Sequence, residues 1–302
     1  MSEPKQYDVI ILGSGPAGIQ AAIHASRKKA KTLMLGRLSE SSLYWAHVEN
    51  YCCMFKVSGE EILRTGREQA ESFGAEFLDE DVLKVTKEGD LLQVETEGGR
   101  LLESPTLIIA TGTTRNKLGV PGEKDLLGKG VSYCADCDAG FFKKEVVVVA
   151  GCQSAAAGGA STLSKYASET HLVCEELDVA PALRQRILDA AVILHEGRKI
   201  QRIEGKTAVS GVTLDNDELI ACSGVFIELG AKGVLELAAS LGIMLDDKMR
   251  YVDVDRKQRT NVEGVYAAGD ITGPPLQMAK AVGEGCVAGV EAAAYAKALK
   301  QR

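Results

Sequence analysis

The chain has 302 residues, of which 45% are hydrophobic, and carries a net charge of −7 at pH 7. This length favours two domains, and the negative charge argues against nucleic acid or an anionic membrane as a general partner. With no signal-peptide pattern and no apolar run of the roughly 18 residues that a membrane-spanning helix needs, the sequence predicts a cytoplasmic protein.

The first predicted element is a buried strand, Tyr7–Leu12, which leads into a glycine-rich turn and an alanine-rich helix, Ile19–Arg27. The turn has the pattern G-x-G-x-x-G, which between a strand and a helix is typical of a dinucleotide-binding βαβ unit. Its glycines permit a tight turn and close approach of a pyrophosphate, and the helix N-terminus attracts the phosphate charge. The predicted cofactor-binding residues here are Gly13, Gly15, Pro16, Ala17 and Gly18.

Two later segments are also apolar strands: Leu107–Thr113 ends in a glycine turn, and Gly264–Asp270 ends in a carboxylate. Because parallel strands end at the same edge of a sheet, three strand ends can converge on one ligand. The further cofactor-binding candidates are therefore Thr111, Gly112, Gly269 and Asp270.

Between these segments stands Cys134-Ala135-Asp136-Cys137-Asp138. Two cysteines separated by two residues can close a small reactive disulfide, and such pairs often hold one thiol of lowered pKa. Half of a zinc site is the alternative, but zinc normally takes four nitrogen or sulfur ligands, and the sequence has no second CxxC and no well-spaced histidine pair. We therefore predict a catalytic centre of Cys134, Cys137 and Asp138, with Asp138 moving the proton, and no metal.

The order of these motifs resembles that of the low-molecular-weight, thioredoxin reductase-like flavoproteins, along nearly all of the chain. Val48-Glu49-Asn50-Tyr51 is similar to the VEN segment beside the flavin in that family, and Gln277 and Met278 match the start of its terminal helix. The resemblance implies FAD as the cofactor and adds Asn50, Gln277 and Met278 to its binding residues. It also implies that Asp270 binds the ribityl chain.

The same resemblance implies an α/β fold with two Rossmann-like, three-layer domains. The FAD-binding domain would comprise residues 1–116 and 245–302, and residues 117–244 would form an inserted, NAD(P)H-like domain with the CxxC. Cys137 would then face the flavin, Cys134 would exchange with the disulfide of a partner protein, and Asp138 would act as acid and base. A homodimer is implied as well.

The second βαβ unit departs from the family. After the predicted strand Glu145–Val149, Cys152 stands where the fingerprint has its second glycine, and its side chain is expected to crowd a pyrophosphate. At the end of the next strand, Glu175 and Glu176 stand where the family has a basic cluster for the 2′-phosphate of NADPH. Because carboxylates repel a phosphate, NADPH is predicted not to be the electron donor.

Two explanations of the acidic pair remain open. Either glutamate can hydrogen-bond a ribose 2′-hydroxyl, which would make NADH the donor. Alternatively the nicotinamide site has been lost, and electrons reach the flavin from reduced ferredoxin, a deazaflavin or a substrate dithiol. The lost glycines favour the second explanation.

The predicted function is therefore a flavin-dependent disulfide oxidoreductase that reduces thioredoxin or a thioredoxin-like protein with electrons from a donor other than NADPH. The alternatives are an NADH-dependent thioredoxin reductase, an oxygen-using dithiol oxidase with the opposite electron flow, and a redox-sensing module without turnover. Adjacent Cys52 and Cys53 allow a further redox relay, although unreactive cysteines are commoner.

Overall fold

The computed structural model describes residues 4–112, 117–229, 240–247 and 249–301. The chain divides into two compact units. The first comprises residues 1–96, 100–113 and 233–302, and the second comprises residues 97–99 and 114–232. The predicted domain limit at residue 116 lies outside the described residues.

In chain order, the described residues form the strands and helices β1 (Lys5–Gln6), β2 (Val9–Leu12), α1 (Pro16–Arg27), β3 (Thr32–Leu35), β4 (His47–Val48), β5 (Val57–Ser58), α2 (Gly59–Ser72), β6 (Glu76–Leu78), β7 (Val82–Glu88), β8 (Leu91–Thr96), β9 (Leu101–Ser104), β10 (Leu107–Ile109), β11 (Val131–Ser132), α3 (Ala135–Asp138), β12 (Val146–Ala150), α4 (Ser154–Leu163), β13 (Glu169–Cys174), α5 (Pro181–Asp189), β14 (Ile193–Glu196), β15 (Ile200–Gly205), β16 (Val209–Leu214), β17 (Leu219–Ile220), β18 (Gly224–Ile227), β19 (Val265–Ala267) and α6 (Met278–Leu299).

The first unit is built on a parallel sheet of five strands in the order β19-β10-β2-β3-β6. Alternate residues of β2 belong to two different cores: Val9 and Ile11 pack with α1 and α6, whereas Ile10 and Leu12 pack with β8 and β9. Burial on both faces explains why β2 is an uninterrupted apolar run. The second layer is a sheet of order β1-β9-β8-β7, in which only β1 and β9 pair in parallel.

Helices α1 and α6 lie in direct contact through glycines of α6. A Cβ atom on Gly285 would lie 2.1 Å from the carbonyl oxygen of Ala17, and one on Gly289 would lie 2.4 Å from that of Ala21. The contacts follow the same order in both helices, so the helices run in parallel, and α6 begins about two turns before the level at which α1 begins.

Among the helices that the structure describes, none combines the length and the apolar composition that a membrane span requires.

The second unit repeats the architecture with a parallel sheet of order β11-β18-β12-β13-β14. The antiparallel sheet β15-β16-β17 shares a buried core with residues of the parallel sheet, among them Val148, Val173 and Val225. Helix α4 contacts β12, β13 and α5. The predicted α/β class with two Rossmann-like units is confirmed.

Candidate active site

Cys134 and Cys137 form a disulfide bond where β11 leads into α3. The sulfur atom of Cys134, the N-cap of α3, accepts the backbone N–H of Cys137 at 3.1 Å. Cys134 is buried and Cys137 is exposed. A partner can therefore reach Cys137 in the disulfide form, whereas Cys134 must first become accessible if it is the residue that exchanges. The described residues contain no group of three or more metal-ligating side chains.

The carboxylate of Asp138 is linked to the disulfide turn by one hydroxyl group. Ser132 Oγ donates to Asp138 Oδ2 at 2.6 Å, and Ser132 Oγ also accepts the backbone N–H of Cys134 at 3.0 Å. Asp138 is half-buried, and its own N–H donates to the carbonyl of Cys134 at 3.2 Å. The structure thus brings the three predicted catalytic residues together and adds Ser132. The position of Ser132, two residues before Cys134, is the sequence signal that could have identified it.

A buried carboxylate beneath the disulfide turn was missed by the sequence analysis. Glu228, which follows β18, is 6% exposed, and its Oε1 accepts the backbone N–H of Ala135 at 2.7 Å. Gly159 of α4 makes room for this contact, because a Cβ there would lie 3.1 Å from Ala135 Cβ and 3.5 Å from Glu228 Oε1. Glu228 and Ala135 are far apart in sequence, and no spacing pattern connects them.

The glycine-rich turn of the first unit forms a backbone cradle that only glycine permits. A Cβ on Gly13, whose φ is +106°, would lie 2.3 Å from the carbonyl oxygen of Ala110, and one on Gly18 would lie 1.9 Å from that of Gly13. Gly15 is the N-cap of α1, and Pro16 its first residue. No side chain among the described residues caps the first N–H groups of α1, an arrangement that suits a phosphate.

The three predicted strand ends lie side by side in the sheet. The backbone N–H of Ala110 donates to the carbonyl of Leu12 at 2.7 Å, and that of Ala268 donates to the carbonyl of Ile109 at 3.0 Å. Beyond β10, Thr111 Oγ1 is buried and has no hydrogen-bond partner among the described residues. Because leaving such a hydroxyl unsatisfied costs free energy, it fits a bound ligand, and these residues suit a dinucleotide such as FAD.

Gly112, directly after Thr111, has a φ of +72° and faces open space within the described part of the chain. Gly269 has a φ of +89° and precedes the single helical turn Asp270–Thr272. Lys280 Nζ donates to three oxygen atoms of residues 269–273, each at 2.7 Å, and Glu284 accepts the N–H of Gly269 at 2.9 Å. Burial raises the pKa of Asp270; the charge of Lys280 opposes this rise and that of Glu284 adds to it.

The loop between β4 and β5 is joined to the start of α6. Asn50 Nδ2 donates to Gln277 Oε1 at 2.9 Å, and Gln277 is the N-cap that precedes Met278. The structure thus brings together three predicted cofactor-binding residues from opposite ends of the chain. The same loop carries Cys52 and Cys53, both exposed, with their sulfur atoms 3.2 Å apart.

In the second unit, the turn after β12 and the end of β13 lie next to one another. The carbonyl of Cys152 accepts the N–H of Asp178 at 2.8 Å. Glu175 and Glu176 are exposed, and Glu175 forms an ion pair with Lys199 at 2.9 Å. One of the two predicted ribose ligands is therefore held by a cation of the chain itself.

Comparison with known proteins gives the same family over most of the chain. Residues 7–285 match the pyridine nucleotide-disulphide oxidoreductase family. The thioredoxin reductase of Listeria innocua serovar 6a is 36% identical, over 99% of this chain and 97% of the relative. That of Bacillus subtilis is 35% identical, over 100% of this chain and 98% of the relative.

Two solved structures resemble the whole chain. The atypical thioredoxin reductase TRi from Desulfovibrio vulgaris Hildenborough has a TM-score of 0.85 and 33% identity, covering 96% of this chain and 98% of its own. A ferredoxin-flavin thioredoxin reductase from Clostridium acetobutylicum has a TM-score of 0.72 and 29% identity, covering 99% and 100%. The chain therefore belongs to the pyridine nucleotide-disulphide oxidoreductase family, as a low-molecular-weight, thioredoxin reductase-like flavoenzyme that acts on disulfides.

Proposed function

We propose that the protein reduces the disulfide of thioredoxin or a thioredoxin-like protein through Cys134 and Cys137, with electrons from a donor other than NADPH. The observation that carries this proposal is the contrast between the two units. The disulfide turn and the FAD cradle keep the family's features, whereas the second nucleotide unit has Cys152 and two carboxylates at the positions for a pyrophosphate and a 2′-phosphate.

The cradle of residues 13–18 and the strand end at Thr111 would hold FAD, which would supply the two electrons that reduce the disulfide. The Cys134–Cys137 bond breaks, and two protons complete the dithiol. Cys134, as a thiolate, then attacks one sulfur of the partner's disulfide and displaces the other sulfur, which takes a proton. Cys137 attacks Cys134 in turn, which re-forms the disulfide and releases the partner as a dithiol. Asp138, held by Ser132, supplies or accepts the protons at these sulfur atoms.

Reduced ferredoxin is the donor that we propose first. One structure that the chain resembles is named a ferredoxin-flavin thioredoxin reductase, and another is named atypical. NADH is the second candidate, because Glu175 and Glu176 are placed as acidic ribose ligands would be.

Anaerobic stopped-flow absorbance of the FAD-bound enzyme tests the donor. The protein is mixed separately with NADPH, NADH and reduced ferredoxin, and bleaching of the flavin is followed. We expect rapid bleaching by ferredoxin and none by NADPH, followed by reduction of thioredoxin. Rapid bleaching by NADPH would overturn the proposal. If none of the three donors bleaches the flavin, the protein is mixed with a dithiol, and bleaching followed by reoxidation of the flavin once air is admitted would make the protein an oxidase.

Rapid bleaching by NADH would make the second candidate the donor. In that case Glu175→Gln/Glu176→Gln should raise the apparent Kd for NADH about tenfold, because the neutral amide oxygen accepts the ribose hydrogen bond more weakly than the charged carboxylate does. Glu218→Gln is the matched control, since Glu218 is also an exposed glutamate of the second unit.

A homodimer and a cytoplasmic location stay predictions that rest on the resemblance and on composition. Light scattering coupled to size-exclusion chromatography distinguishes the 32.1 kDa monomer from a species of twice that mass. Fractionation of source cells tests the location.

A further inference from the structure

Cys52 and Cys53 take no part in the reaction described above, and both are exposed. We propose that they form a second redox centre of the protein. Low-molecular-weight disulfides, of which glutathione disulfide is the example used below, oxidise this pair of thiols to a disulfide between the two adjacent residues, and dithiols reduce it again. The inference goes beyond the proposed function, because it involves neither thioredoxin nor the Cys134–Cys137 bond.

A turn holds the two sulfur atoms close together. The backbone N–H of Met54 donates to the carbonyl of Tyr51 at 3.1 Å, so that Cys52 and Cys53 are the two central residues of this turn. Their sulfur atoms lie 3.2 Å apart. Groups that are positioned to react lie about 3–3.5 Å apart, so each sulfur atom already stands at the distance from which it can attack the other.

The backbone at Cys53 has a conformation that a residue with a Cβ adopts at a cost in free energy. Its φ is +69°, and glycine or asparagine is usual where the third residue of a turn has a positive φ. Strained backbone of this kind is concentrated at functional sites. Here it places the side chain of Cys53 beside that of Cys52, which a glycine at this position would not do.

The reaction with a small disulfide needs no further reactant. The thiolate of one cysteine attacks a sulfur atom of the small disulfide and displaces the other, which takes up a proton and leaves as a thiol. The neighbouring cysteine, as a thiolate, then attacks the protein sulfur of this mixed disulfide. The bond between Cys52 and Cys53 forms and the second small thiol leaves. Two electrons pass from the pair to the small disulfide, and the protons of the two cysteines pass to the released thiols.

Because the two cysteines are adjacent, their disulfide should be easy to reduce. The trans peptide bond between them sets their Cα atoms about 3.8 Å apart, whereas most disulfides join Cα atoms about 4.4–6.8 Å apart. Strained and exposed disulfides have high reduction potentials and are the labile, regulatory ones. The pair should therefore be a dithiol in a reducing environment and become oxidised when small disulfides accumulate, which is the behaviour of a redox sensor.

The test equilibrates FAD-bound protein in glutathione buffers of increasing disulfide content. Free thiols are then alkylated, and tryptic peptides are weighed by mass spectrometry. Residues 38–56 form one tryptic peptide, in which Cys52 and Cys53 are the only cysteines. We expect the disulfide within this peptide to exceed its mixed disulfide with glutathione at least about tenfold, because attack within the turn outcompetes attack on a second glutathione disulfide. Dithiothreitol should restore the dithiol.

Cys52→Ser is the matched variant, since it leaves Cys53 in the same turn without a neighbouring thiol. It should accumulate the mixed disulfide between Cys53 and glutathione, which the unsubstituted protein does not retain. Neither thioredoxin nor an electron donor is present, so failure of the proposed function would not change these results.

Four outcomes in the unsubstituted protein would each overturn the inference. They are a mixed disulfide that persists at either cysteine, a disulfide that joins two copies of the chain, alkylation of both thiols at every glutathione ratio, and a Cys52–Cys53 bond that dithiothreitol does not reduce.

Discussion

The hydroxyl of Ser132 joins Asp138 to the backbone of Cys134: it donates to Asp138 Oδ2 at 2.6 Å and accepts the Cys134 N–H at 3.0 Å. This link fixes the carboxylate at the redox turn in the disulfide form. The carboxylate of Asp138 is therefore already held beside the first cysteine before the disulfide is reduced.

Asp138→Asn should slow electron transfer to the disulfide by a factor on the order of 10²–10³, because the amide cannot carry the proton. Ser132→Ala should have a smaller effect, since it only releases the carboxylate. The rate is measured by reducing the flavin with dithionite and following its reoxidation by the disulfide. Asp136→Asn, an exposed change in the same turn, is the control. A rate for Asp138→Asn equal to that of the control would remove Asp138 from the mechanism.

The roles of the two cysteines can be separated by trapping. The reagent is thioredoxin with one cysteine joined to an aromatic thiol, which leaves when a thiolate attacks the thioredoxin sulfur. If Cys134 exchanges with the partner, Cys137→Ser protein should form a stable mixed disulfide with this thioredoxin, and Cys134→Ser protein should not. Mass spectrometry of the trapped complex identifies the linked residues. Because Cys137 is the exposed member of the disulfide, trapping by Cys134→Ser alone would reverse the assignment.

Much of the fold could be predicted because the signals are local. The apolar run of β2, the glycines after it and the alanine-rich sequence of α1 lie within one continuous segment. The structure places α1 at Pro16–Arg27, close to the predicted helix Ile19–Arg27, whereas the start of α6 at Met278 was expected from the family resemblance. Periodicity and turn chemistry suffice for such elements.

The sequence could not reveal contacts that depend on tertiary structure. Glu228 reaches Ala135 only because β18 and β11 are neighbours in the parallel sheet, although many residues separate these strands in the chain. The hydrogen bond between Asn50 and Gln277 likewise joins two ends of the chain. In this case the resemblance to a family identified both residues, whereas nothing comparable identified Glu228.

The free cysteines should differ widely in reactivity. Cys52 and Cys53 are exposed, whereas burial raises the pKa of Cys174 and of Cys222 to about 12. Iodoacetamide at pH 8 should therefore modify the exposed pair at least 100-fold faster than the buried pair, because the thiolate is the nucleophile. Peptide mass mapping over time gives the rates, and Cys52→Ser/Cys53→Ser should remove the fast phase. Early labelling of Cys174 or Cys222 would contradict the expected burial.

Lys280 should be important for holding FAD, because it donates three hydrogen bonds to residues 269–273, next to the predicted ligand Asp270. Lys280→Met should weaken FAD binding at least tenfold, since hydrogen bonds from charged groups contribute about 1.5–3 kcal/mol each. Flavin fluorescence on dilution measures the released cofactor. Lys257→Met is the control, because Lys257 forms an exposed ion pair with Glu291 in the same unit. Equal retention of FAD in both variants would contradict the prediction.

The pair of histidines on β13 and β14 should make stability depend on pH. His171 Nδ1 and His195 Nε2 lie 2.8 Å apart, and burial, together with the charge of His171, lowers the pKa of His195. A lowered pKa means that the folded protein binds this proton less tightly than the unfolded chain does. The contribution of neutral His195 to the free energy of unfolding is therefore fully present above the unfolded pKa of about 6.5 and is lost as the pH falls through the lower folded value.

The Tm of His195→Gln should consequently fall less between pH 7.5 and 5.5 than that of the original protein, by roughly 1–3 °C. Differential scanning calorimetry at several pH values measures this difference, with His47→Gln, an exposed change on β4, as the control. If the Tm of both variants falls on acidification by as much as that of the unsubstituted protein, protonation of His195 does not limit the stability of the protein.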